Sequence, residues 1–310
     1  MSPGSTAVEV EVGGRQLSLS NLDKVLYPGA GYTKGQVIDY YTRIAPALLP
    51  HLHQRALTLK RYPNGVDGQF FYEKNCPKHR PPWVETLPVW SARTKADVNY
   101  CLIDELAGLV WVANLASLEL HTSLAHARDV QRPSMVVFDL DPGPPATAVE
   151  CGQVALWLRE VLDGLGLQAF PKTSGSKGLQ IYVPLNTPAT YNDTKPFAHA
   201  LAKLLEKQHP NEVLSVMAKD LRTGKVFIDW SQNDDSKTTI CVYSLRARPR
   251  PTVSTPVTWQ EVERAVASGD PDDLVFEAGD VLARVTADGD LFAPLNELEQ
   301  VLPTSPPSNW

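Results

Sequence analysis

The chain has 310 residues, of which 43% are hydrophobic and 21% charged, and this composition excludes an intrinsically disordered or low-complexity polypeptide. That length allows one large domain or two modest ones. The first residues, MSPGSTAVEVEVGG, have neither the basic segment nor the apolar core of a secretory signal. The longest apolar stretch, residues 106–120, is shorter than the roughly 20 residues that span a bilayer, so it predicts a buried helix. We therefore expect a cytoplasmic protein without a membrane partner.

The net charge of −6 conceals a separation of charge along the chain. Residues 261–300 contain eleven acidic residues and two arginines, so the remainder of the chain is net positive. A basic body with a separate acidic end is compatible with binding of a polyanion, because the local field matters more than the net charge. A solvated surface of mixed charge explains the same composition equally well.

The four cysteines are scattered along the sequence at positions 76, 101, 151 and 241. Such scatter is typical of proteins from a reducing compartment. Cys76 and His79 have a CxxH spacing, but no second pair of ligands accompanies them. An ordinary surface loop is therefore preferred here over a zinc site.

The predicted elements, taken in chain order, mix helices and strands without an internal repeat. A helix is predicted at 33–49 with Thr33 as its N-cap, then strands within 56–65 and 68–74. The elements that follow are a helix at 106–120, a strand at 134–143, a helix at 146–166, two strands around a turn in 167–185, a helix at 194–210, a strand at 225–233 and a helix at 258–269 with a Thr258–Glu261 capping box. Because several strands are consecutive, we predict an α+β fold in which two β-sheets with flanking helices enclose a central cleft.

Two aspartates end a buried strand in the segment SMVVFDLDPG, residues 134–143. Side chains alternate along a strand, so Asp139 and Asp141 point to the same face with Cα atoms about 6–7 Å apart. Two neighbouring carboxylates in a buried position repel each other and lose hydration, and this is energetically costly unless a cation lies between them. The spacing therefore predicts a bound cation.

A third aspartate, Asp229, lies within the apolar strand KVFIDW, where no turn chemistry is evident beside it. Three carboxylates carried by strands are what a site for two magnesium ions requires. Hard divalent cations prefer oxygen ligands and keep positions open for substrate phosphates.

Two further segments suggest an anionic ligand. The turn KTSGSKG has small residues whose backbone N–H groups are expected to be free to wrap an anion, while Ser174 and Ser176 add hydroxyls and Lys177 adds charge. A plain hairpin turn is the alternative. The segment SKTTICVYSLRARPR then places Lys237 and three arginines after the Asp229 strand, a density that suits a triphosphate or a nucleic-acid backbone.

Taken in order, these motifs resemble the primase-polymerase domain of bacterial ligase D, a branch of the archaeo-eukaryotic primase superfamily. The resemblance rests on DLD at 139–141, TSGSKG at 173–178 and VFIDWSQN…SKTTI…YSLR at 226–246. It begins at LSLSNLDKVLYP (17–28), continues through LTLKRYPNGVDGQFFYEK (57–74) and ASLELH (116–121), and runs to about residue 295. It implies a single catalytic domain over 1–295, with a DNA-binding portion at about 1–130, a catalytic portion at about 131–295, and a disordered tail at 296–310.

The resemblance also implies an activity. Members of the family add nucleotides at short gaps or broken DNA ends, using nucleoside triphosphates and two Mg²⁺ or Mn²⁺ ions. A primer 3′-hydroxyl attacks the α-phosphate of the nucleotide. The chain is accordingly expected to be a monomer associated with the nucleoid.

Site residues follow from the resemblance position by position. Asp139, Asp141 and Asp229 are implied as catalytic metal ligands. The positions that match nucleotide contacts of the family are Lys60, His121, Ser174, Lys177, Gln232 and Arg246. Asn21, Lys24 and Lys34 match a site for a downstream 5′-phosphate, while Phe71 and Tyr72 match two template-stacking phenylalanines.

The sequence departs from the family at Gln180, where a His is common, and a Gln cannot titrate. No lysine-nucleophile ligase motif or nuclease segment is evident, which suggests a stand-alone polymerase that works with a separate ligase and a Ku-like end-binding protein. A stand-alone polymerase makes gap filling in excision repair a candidate role in addition to end joining.

Two alternatives remain open from the sequence. The segment VVFDLDPG also resembles the first motif of haloacid-dehalogenase-type phosphatases, although Pro142 and Gly143 replace the residues that normally follow. The second alternative is a non-catalytic module that binds DNA ends and keeps the fold.

Overall fold

The computed structural model describes residues 7–91 and 94–303. The strands are β1 (Val8–Val12), β2 (Arg15–Leu19), β3 (Val25–Tyr27), β4 (Tyr32–Thr33), β5 (Leu57–Arg61), β6 (Phe71–Glu73), β7 (Thr86–Ser91), β8 (Ala96–Cys101), β9 (Ser117–Thr122), β10 (Met135–Pro142), β11 (Phe170–Thr173), β12 (Leu179–Pro184), β13 (Val213–Leu214), β14 (Val226–Asp229) and β15 (Thr239–Ile240). The helices are α1 (Lys34–Leu52), α2 (Leu106–Asn114), α3 (Ala148–Gly164), α4 (Tyr191–Gln208), α5 (Trp259–Ser268) and α6 (Ala278–Asp288). The predicted mixture of helices and sheets is confirmed. Within the described ranges, no helix combines the length and the apolar character needed to cross a membrane.

The chain forms two units and passes between them more than once. The first unit takes the described residues up to Thr122 together with Ile240–Val253 and Glu277–Gly289. The second takes Ser123–Thr239, Ser254–Phe276 and the described residues from Asp290 onward. The predicted division at about residue 130 lies near the first crossing, but the two later returns to the first unit were not predicted. Nothing in local periodicity marks them.

The first unit is built on a six-stranded sheet with helices packed beside it. The sheet has the order β15-β9-β5-β8-β7, and β6 pairs with β5. Helix α1 packs against α2 and α6. Thr33 caps α1 as predicted, since its side chain accepts a hydrogen bond from the backbone N–H of Gln36 while the Gln36 side chain returns to Thr33.

The apolar stretch at 106–120 is not one helix, and the prediction of a buried helix there was wrong in its second half. Helix α2 ends at Asn114, Ala116 takes a φ of 57°, and the chain continues as β9. Both elements are buried on nearly all sides, so neither has the polar positions that reveal a period.

The second unit has a five-stranded sheet in the order β11-β12-β10-β14-β13. Residues Val136, Phe138 and Leu140 of β10 enter an apolar core on one face of the sheet. Helices α3 and α4 pack against β10, and α5 packs against α3. Because side chains alternate along the strand, Asp139 and Asp141 lie on the opposite face from this core.

Two of the four cysteines form a disulfide, contrary to the expectation of reduced, unpaired thiols. Cys76 bonds Cys101 across a separation of 25 residues, while Cys151 and Cys241 are free and buried. The spacing of the cysteines along the sequence does not reveal this pairing, because it depends on β8 bringing Cys101 next to the loop that holds Cys76. The bond also removes Cys76 as a partner for His79 in a metal pair.

The start of the disordered tail was predicted at residue 296, which is too early in the chain. Gln300 is 9% exposed, and its side chain donates to the carbonyl of Pro184 at 2.8 Å and accepts from the N–H of Gln168 at 2.7 Å. These bonds hold the segment after Asn296 against β12, because buried polar groups need partners. The rest of the predicted tail, residues 304–310, lies outside the described residues.

Gly178 sets how closely the turn between β11 and β12 approaches β10. A Cβ atom at this position would lie 1.9 Å from the carbonyl oxygen of Leu140. Real Cβ atoms do not come so close to backbone oxygens, so a side chain here would push the turn away from the strand that carries Asp139 and Asp141.

We predict that Gly178→Ala lowers the stability of the protein by about 1–3 kcal/mol, the usual cost of overpacking against backbone. Gly164→Ala is the matched control, because a Cβ there meets nothing within 4 Å. Since Ala favours a helix over Gly, the control should keep or raise stability. Thermal unfolding of both variants measures the difference, and equal midpoints would contradict the packing argument.

Candidate active site

Four polar side chains form a row across the sheet of the second unit. Asp229 of β14 lies directly opposite Asp139 of β10, Asp139 lies opposite Gln180 of β12, and Gln180 lies opposite Lys172 of β11. Residues opposite each other in antiparallel strands point to the same face. Asp141, two residues after Asp139, shares that face, so the three predicted metal ligands lie together as the sequence indicated.

Asp229 has turn chemistry that the sequence interpretation did not recognise. It ends β14 and caps a short 3₁₀ turn at Trp230–Gln232, where its Oδ1 accepts from the N–H and hydroxyl of Ser231 at 3.0 and 2.6 Å. Its Oδ2 accepts from the Gln232 side chain at 2.8 Å. The signal was the Ser two residues after the Asp, a common Asx pattern.

The donor chemistry of the row fits a hard divalent cation, since all three carboxylates supply oxygen ligands. Within residues 7–91 and 94–303, however, no three His, Cys, Asp or Glu side chains already converge closely enough to hold an ion. The Asp229 carboxylate is engaged by Ser231 and Gln232. A cation bound between the strands would compete with those two residues for the Asp229 carboxylate.

Asp139 has the most perturbed carboxyl group of the row. Its burial, together with the charges of Asp141 and Asp229, raises its pKa to about 7, while hydrogen bonding from Gln180 and the charge of Lys172 act in the opposite direction. Two like charges beside a partly buried carboxylate disfavour its ionised form. The same crowding favours any cation that binds there.

The TSGSKG turn differs from the anion-wrapping loop that was predicted. Ser174 Oγ accepts from the backbone N–H groups of Ser176 and Gly178 at 3.2 and 3.1 Å, so these two donors are already satisfied within the turn. Lys177 is exposed at the tip of the turn. The turn therefore offers the charge of Lys177 rather than a ring of free N–H groups.

Two residues that sequence reasoning missed shape this face of the second unit. Asn233, fully buried, donates to the carbonyl of Val137 at 2.7 Å and accepts from its N–H at 2.9 Å, which ties the segment after Asp229 to β10. The Arg222 guanidinium lies 4.0 Å over the ring of Phe227, the residue opposite Asp141. Asn233 lies among other polar residues after the strand, so nothing local singled out either Asn233 or Arg222.

In the first unit, three of the predicted nucleotide contacts converge on a single carboxylate, Glu119. Lys60 Nζ lies 3.4 Å and His121 Nε2 3.0 Å from Glu119 Oε2, and Arg246 Nε lies 3.5 Å from Oε1. Glu119 is 2% exposed. Lys60 is directly opposite Glu119 in the sheet, and His121 follows Glu119 by two residues, so all three share one face.

Glu119 was not predicted, although its position two residues before His121 in a buried strand was the available signal. Burial raises its pKa, but the hydrogen bond from His121 and the charges of Arg246, His121 and Lys60 outweigh burial and hold the pKa well below its usual range. Burial is also the main cause that lowers the pKa of His121. Glu119 therefore stays ionised and fixes the three basic side chains.

The aromatic residues around Lys60 divide between the two faces of β6. The Lys60 ammonium lies 4.5 Å from the ring centroid of Phe70 and 5.3 Å from that of Tyr72. Phe71 instead faces Arg61, whose guanidinium lies 5.1 Å from its ring. Tyr72 and Phe71 are both exposed, but alternation along the strand sends them to opposite faces, and it is Phe70 that joins Tyr72.

The predicted phosphate-binding lysines come together at the start of α1. The backbone N–H of Lys34 donates to the carbonyl of Lys24 at 2.8 Å, and that of Lys24 donates to Asn21 at 3.0 Å. Lys34 is 5% exposed and its ammonium donates to the carbonyl of Ser20 at 2.6 Å. Burial and the neighbouring charges of Lys24 and Arg61 lower the pKa of Lys34 to about 8.

The sequence of the chain matches a described protein family. The sequence profile of the LigD primase-polymerase domain aligns with residues 33–292. The chain belongs to this family. Membership makes it a nucleotidyltransferase of the primase-polymerase type, and it rejects the alternative of a haloacid-dehalogenase-type phosphatase.

Individual relatives agree with the LigD assignment. The chain is 41% identical over 292 residues to a multifunctional non-homologous end joining DNA repair protein LigD of Mycobacterium tuberculosis, an alignment that covers 91% of this chain and 37% of that protein. It is 30% identical to a bifunctional LigD of Bacillus subtilis, over 88% of this chain and 43% of that protein. The chain thus spans well under half the length of the LigD proteins that it matches.

A solved structure agrees as well. The polymerase domain of Mycobacterium tuberculosis ligase D in complex with DNA superposes with a TM-score of 0.84 at 40% sequence identity, covering 90% of this chain and 98% of that one. The similarity confirms the primase-like fold class predicted from the sequence.

We predict that Asp139→Asn stabilises the metal-free protein at pH 8 but not at pH 4. The folded-state pKa of Asp139 is raised to about 7, so the folded state binds more protons than the unfolded state between about pH 4 and 7. Stability is therefore lost as pH rises through this window, and Asn removes the loss. Because the carboxyl is partly exposed, we expect a gain of about 2 kcal/mol at pH 8.

Chemical unfolding in chelator at several pH values measures this difference. Added Mn²⁺ should stabilise the wild type more than Asp139→Asn, because the cation removes the repulsion that the substitution relieves. A stability difference independent of pH would show that Asp139 titrates normally.

Proposed function

We propose that the chain extends primer 3′ ends on DNA, adding nucleotides from nucleoside triphosphates at short gaps or broken ends during DNA repair. The observation that carries the proposal is the set of three aspartates on one sheet face, in a chain that belongs to the LigD primase-polymerase family. The remaining predicted residues supply charge and stacking surfaces that this reaction requires.

Asp139, Asp141 and Asp229 would hold two divalent cations, Mg²⁺ or Mn²⁺. When bound, such ions neutralise phosphate charge and activate a hydroxyl for attack on phosphorus. The pairing of β10 with β14 places the three carboxylates on one face of the sheet. Gln180 contributes a hydrogen bond that favours the ionised form of Asp139.

Basic side chains would bind the triphosphate. In the first unit, Lys60, His121 and Arg246 are fixed by Glu119, so their positions are set before a ligand arrives. In the second unit, Lys177 supplies an exposed charge, while Ser174 and Gln232 are polar groups already engaged in local hydrogen bonds. Lys and Arg donors bind phosphate oxygens strongly because the bonds are charge-assisted.

DNA would be recognised by stacking and by phosphate contacts in the first unit. Tyr72 and Phe71 are exposed aromatic rings suited to stack on template bases, and Asn21, Lys24 and Lys34 surround the start of α1. The N–H groups of Lys34 and Gln36 are engaged by Lys24 and Thr33, so attraction of a phosphate would come from the two lysines and the helix dipole. By binding a downstream 5′-phosphate at this place, the protein would recognise the far end of a gap.

The repair pathway follows from the relatives. The matched LigD proteins are named for non-homologous end joining, and the solved polymerase domain holds DNA. We accordingly infer a role at broken ends, with gap filling in excision repair as the second candidate, in cooperation with a ligase activity and a Ku-like end-binding protein. A monomer at the nucleoid is the expected form.

We predict that Asp139→Ala with Asp141→Ala abolishes nucleotide addition and leaves DNA affinity within about threefold of the wild type. The two carboxylates serve the cations, whereas the DNA contacts proposed above lie in the first unit. Extension of a labelled primer on gapped DNA with Mn²⁺, alongside fluorescence anisotropy of the same DNA, measures both effects.

The wild type is the decisive control in this assay. If it binds gapped DNA but extends no primer under any metal, the chain is a DNA-end-binding module and the proposed function is wrong. Near-normal extension by the double variant would instead overturn the assignment of the metal ligands.

We predict that the chain binds gapped DNA more tightly with a 5′-phosphate than with a 5′-hydroxyl, and that this preference falls as pH rises from 7 to 9. The pKa of Lys34 is lowered to about 8, so its charge is lost across this range, whereas the phosphate stays doubly ionised. Loss of one charged donor should reduce the preference on the order of tenfold.

The variant Lys24→Ala/Lys34→Met should lose the preference at every pH while still extending a simple primer-template; Met fills the buried space of the Lys34 stem. Lys203→Ala/Lys207→Ala on α4 is the matched control, since it removes the same charge from exposed positions of the second unit. Both are measured at one fixed salt concentration, because phosphate contacts depend strongly on salt. A preference kept by the first variant would exclude this site.

A further inference from the structure

Lys172 is a buried lysine on β11, one strand beyond Gln180 and two strands from Asp139. Its side chain is 1% exposed. The ammonium donates to Gln180 Oε1 at 2.6 Å and to the hydroxyl of Ser254 at 2.5 Å, and the Ser254 hydroxyl donates in turn to the carbonyl of Thr173 at 2.9 Å. A lysine so deeply buried is rare, because burying its charge is costly.

The position of Lys172 determines which way the Gln180 amide faces. An ammonium group has three donors and no acceptor, so the end of the amide that meets it must be the oxygen. The Tyr182 hydroxyl lies 3.3 Å from the same oxygen. The amide nitrogen is thereby left as the group that hydrogen-bonds Asp139, the residue opposite Gln180 on β10.

The reversed amide would be unfavourable at both ends. Its NH₂ group would face the ammonium of Lys172, and its oxygen would face the carboxylate of Asp139. With a neutral apolar side chain at position 172, the repulsion between the amide NH₂ and the ammonium disappears and the amide loses its 2.6 Å contact with Lys172. The longer bond from Tyr182 and the contact with Asp139 are then left to orient it. The charge of Lys172 is therefore transmitted to Asp139 as the orientation of one amide.

We propose that Lys172 is a positioning residue, which acts through the Gln180 amide to hold the Asp139 carboxylate in the orientation that receives a divalent cation. Lys172 itself contacts neither the nucleotide nor the reacting atoms. Its link to catalysis rests on the proposed function, but its effect on cation binding does not. The proposal also gives a physical reason for Gln180, where the family commonly has His: a Gln backed by a lysine presents an N–H donor to Asp139, as a His ring does.

The test compares four variants of the full chain. Lys172→Met removes the ammonium and keeps most of the volume. Lys172→Met/Gln180→His replaces the amide by a ring N–H donor that needs no lysine to orient it. Lys172→Gln, whose amide can present either end to Gln180, is measured as a second removal of the charge should Met at this position prevent folding. Ser254→Ala is the matched control, because it removes the other hydrogen bond of Lys172 and leaves the contact with Gln180.

The first measurement is Mn²⁺ affinity of the protein alone, from the electron paramagnetic resonance signal of the free ion. Loss of a residue that orients a ligand typically weakens metal binding by 10–100-fold, so we expect about a tenfold loss for Lys172→Met and for Lys172→Gln. The Gln180→His combination should restore affinity to within about threefold of the wild type, and Ser254→Ala should stay within the same range.

The second measurement is primer extension at saturating nucleotide. The kcat of Lys172→Met should fall in parallel with its Mn²⁺ affinity, while KM for the nucleotide and Kd for DNA stay within about twofold, because Lys172 touches neither. A folded Lys172→Met protein that binds Mn²⁺ like the wild type would overturn the proposal. The proposal would also be overturned if Lys172→Met/Gln180→His bound Mn²⁺ as weakly as Lys172→Met alone. The lysine would then act by some route other than the amide.

The two readouts separate this inference from the proposed function. If the wild type extends no primer but Mn²⁺ affinity follows the expected pattern, the polymerase proposal fails and the role of Lys172 stands. If the wild type extends primers and Lys172→Met does so equally well with unchanged Mn²⁺ affinity, the role of Lys172 fails and the polymerase proposal stands.

Discussion

The direct opposition of Asp139 and Asp229 on neighbouring antiparallel strands is the constraint on which the second unit depends. Cross-strand neighbours of like charge destabilise a sheet, and Asp141 adds a third negative charge on the same face. The cost is visible in the pKa of Asp139, which burial and its two neighbours raise to about 7. The sheet tolerates this because its other face is an apolar core under α3 and α4, formed by residues such as Val136, Phe138 and Ile228.

The first unit has the opposite electrostatic arrangement. There one buried carboxylate, Glu119, is shared by three basic side chains, so the cations rather than the anions are in excess. Each arrangement is incomplete alone, since buried charges of one sign need partners of the other. Negative charge in excess suits a divalent cation, and positive charge in excess suits phosphate.

How much of this was predictable depended on the range of the interactions. The Asp139–Asp141 pair, the Thr33 and Thr258 caps and the strands around TSGSKG follow from local alternation and capping rules, and all were found as predicted. The end of α2 was missed because a segment buried on all sides has no polar period. The Cys76–Cys101 bond and the role of Glu119 were missed because both arise from strand neighbours far apart in sequence, which a single sequence does not reveal. Asp229 was predicted to be a site residue, but its Asx contact with Ser231 was overlooked.

The discontinuity of the first unit has a consequence for how the protein is made. Arg246 and helix α6 belong to this unit, yet in the chain both follow Ser123–Thr239, the longest segment of the second unit. As the polypeptide leaves the ribosome, the residues up to Thr122 emerge without α6, against which α1 packs, and without the arginine that shares Glu119. Contacts across such long separations form late and slowly. The N-terminal residues must therefore wait for the rest of the chain, and a fragment ending near residue 122 would expose the surface of α1 that α6 covers and leave Glu119 with one cation fewer.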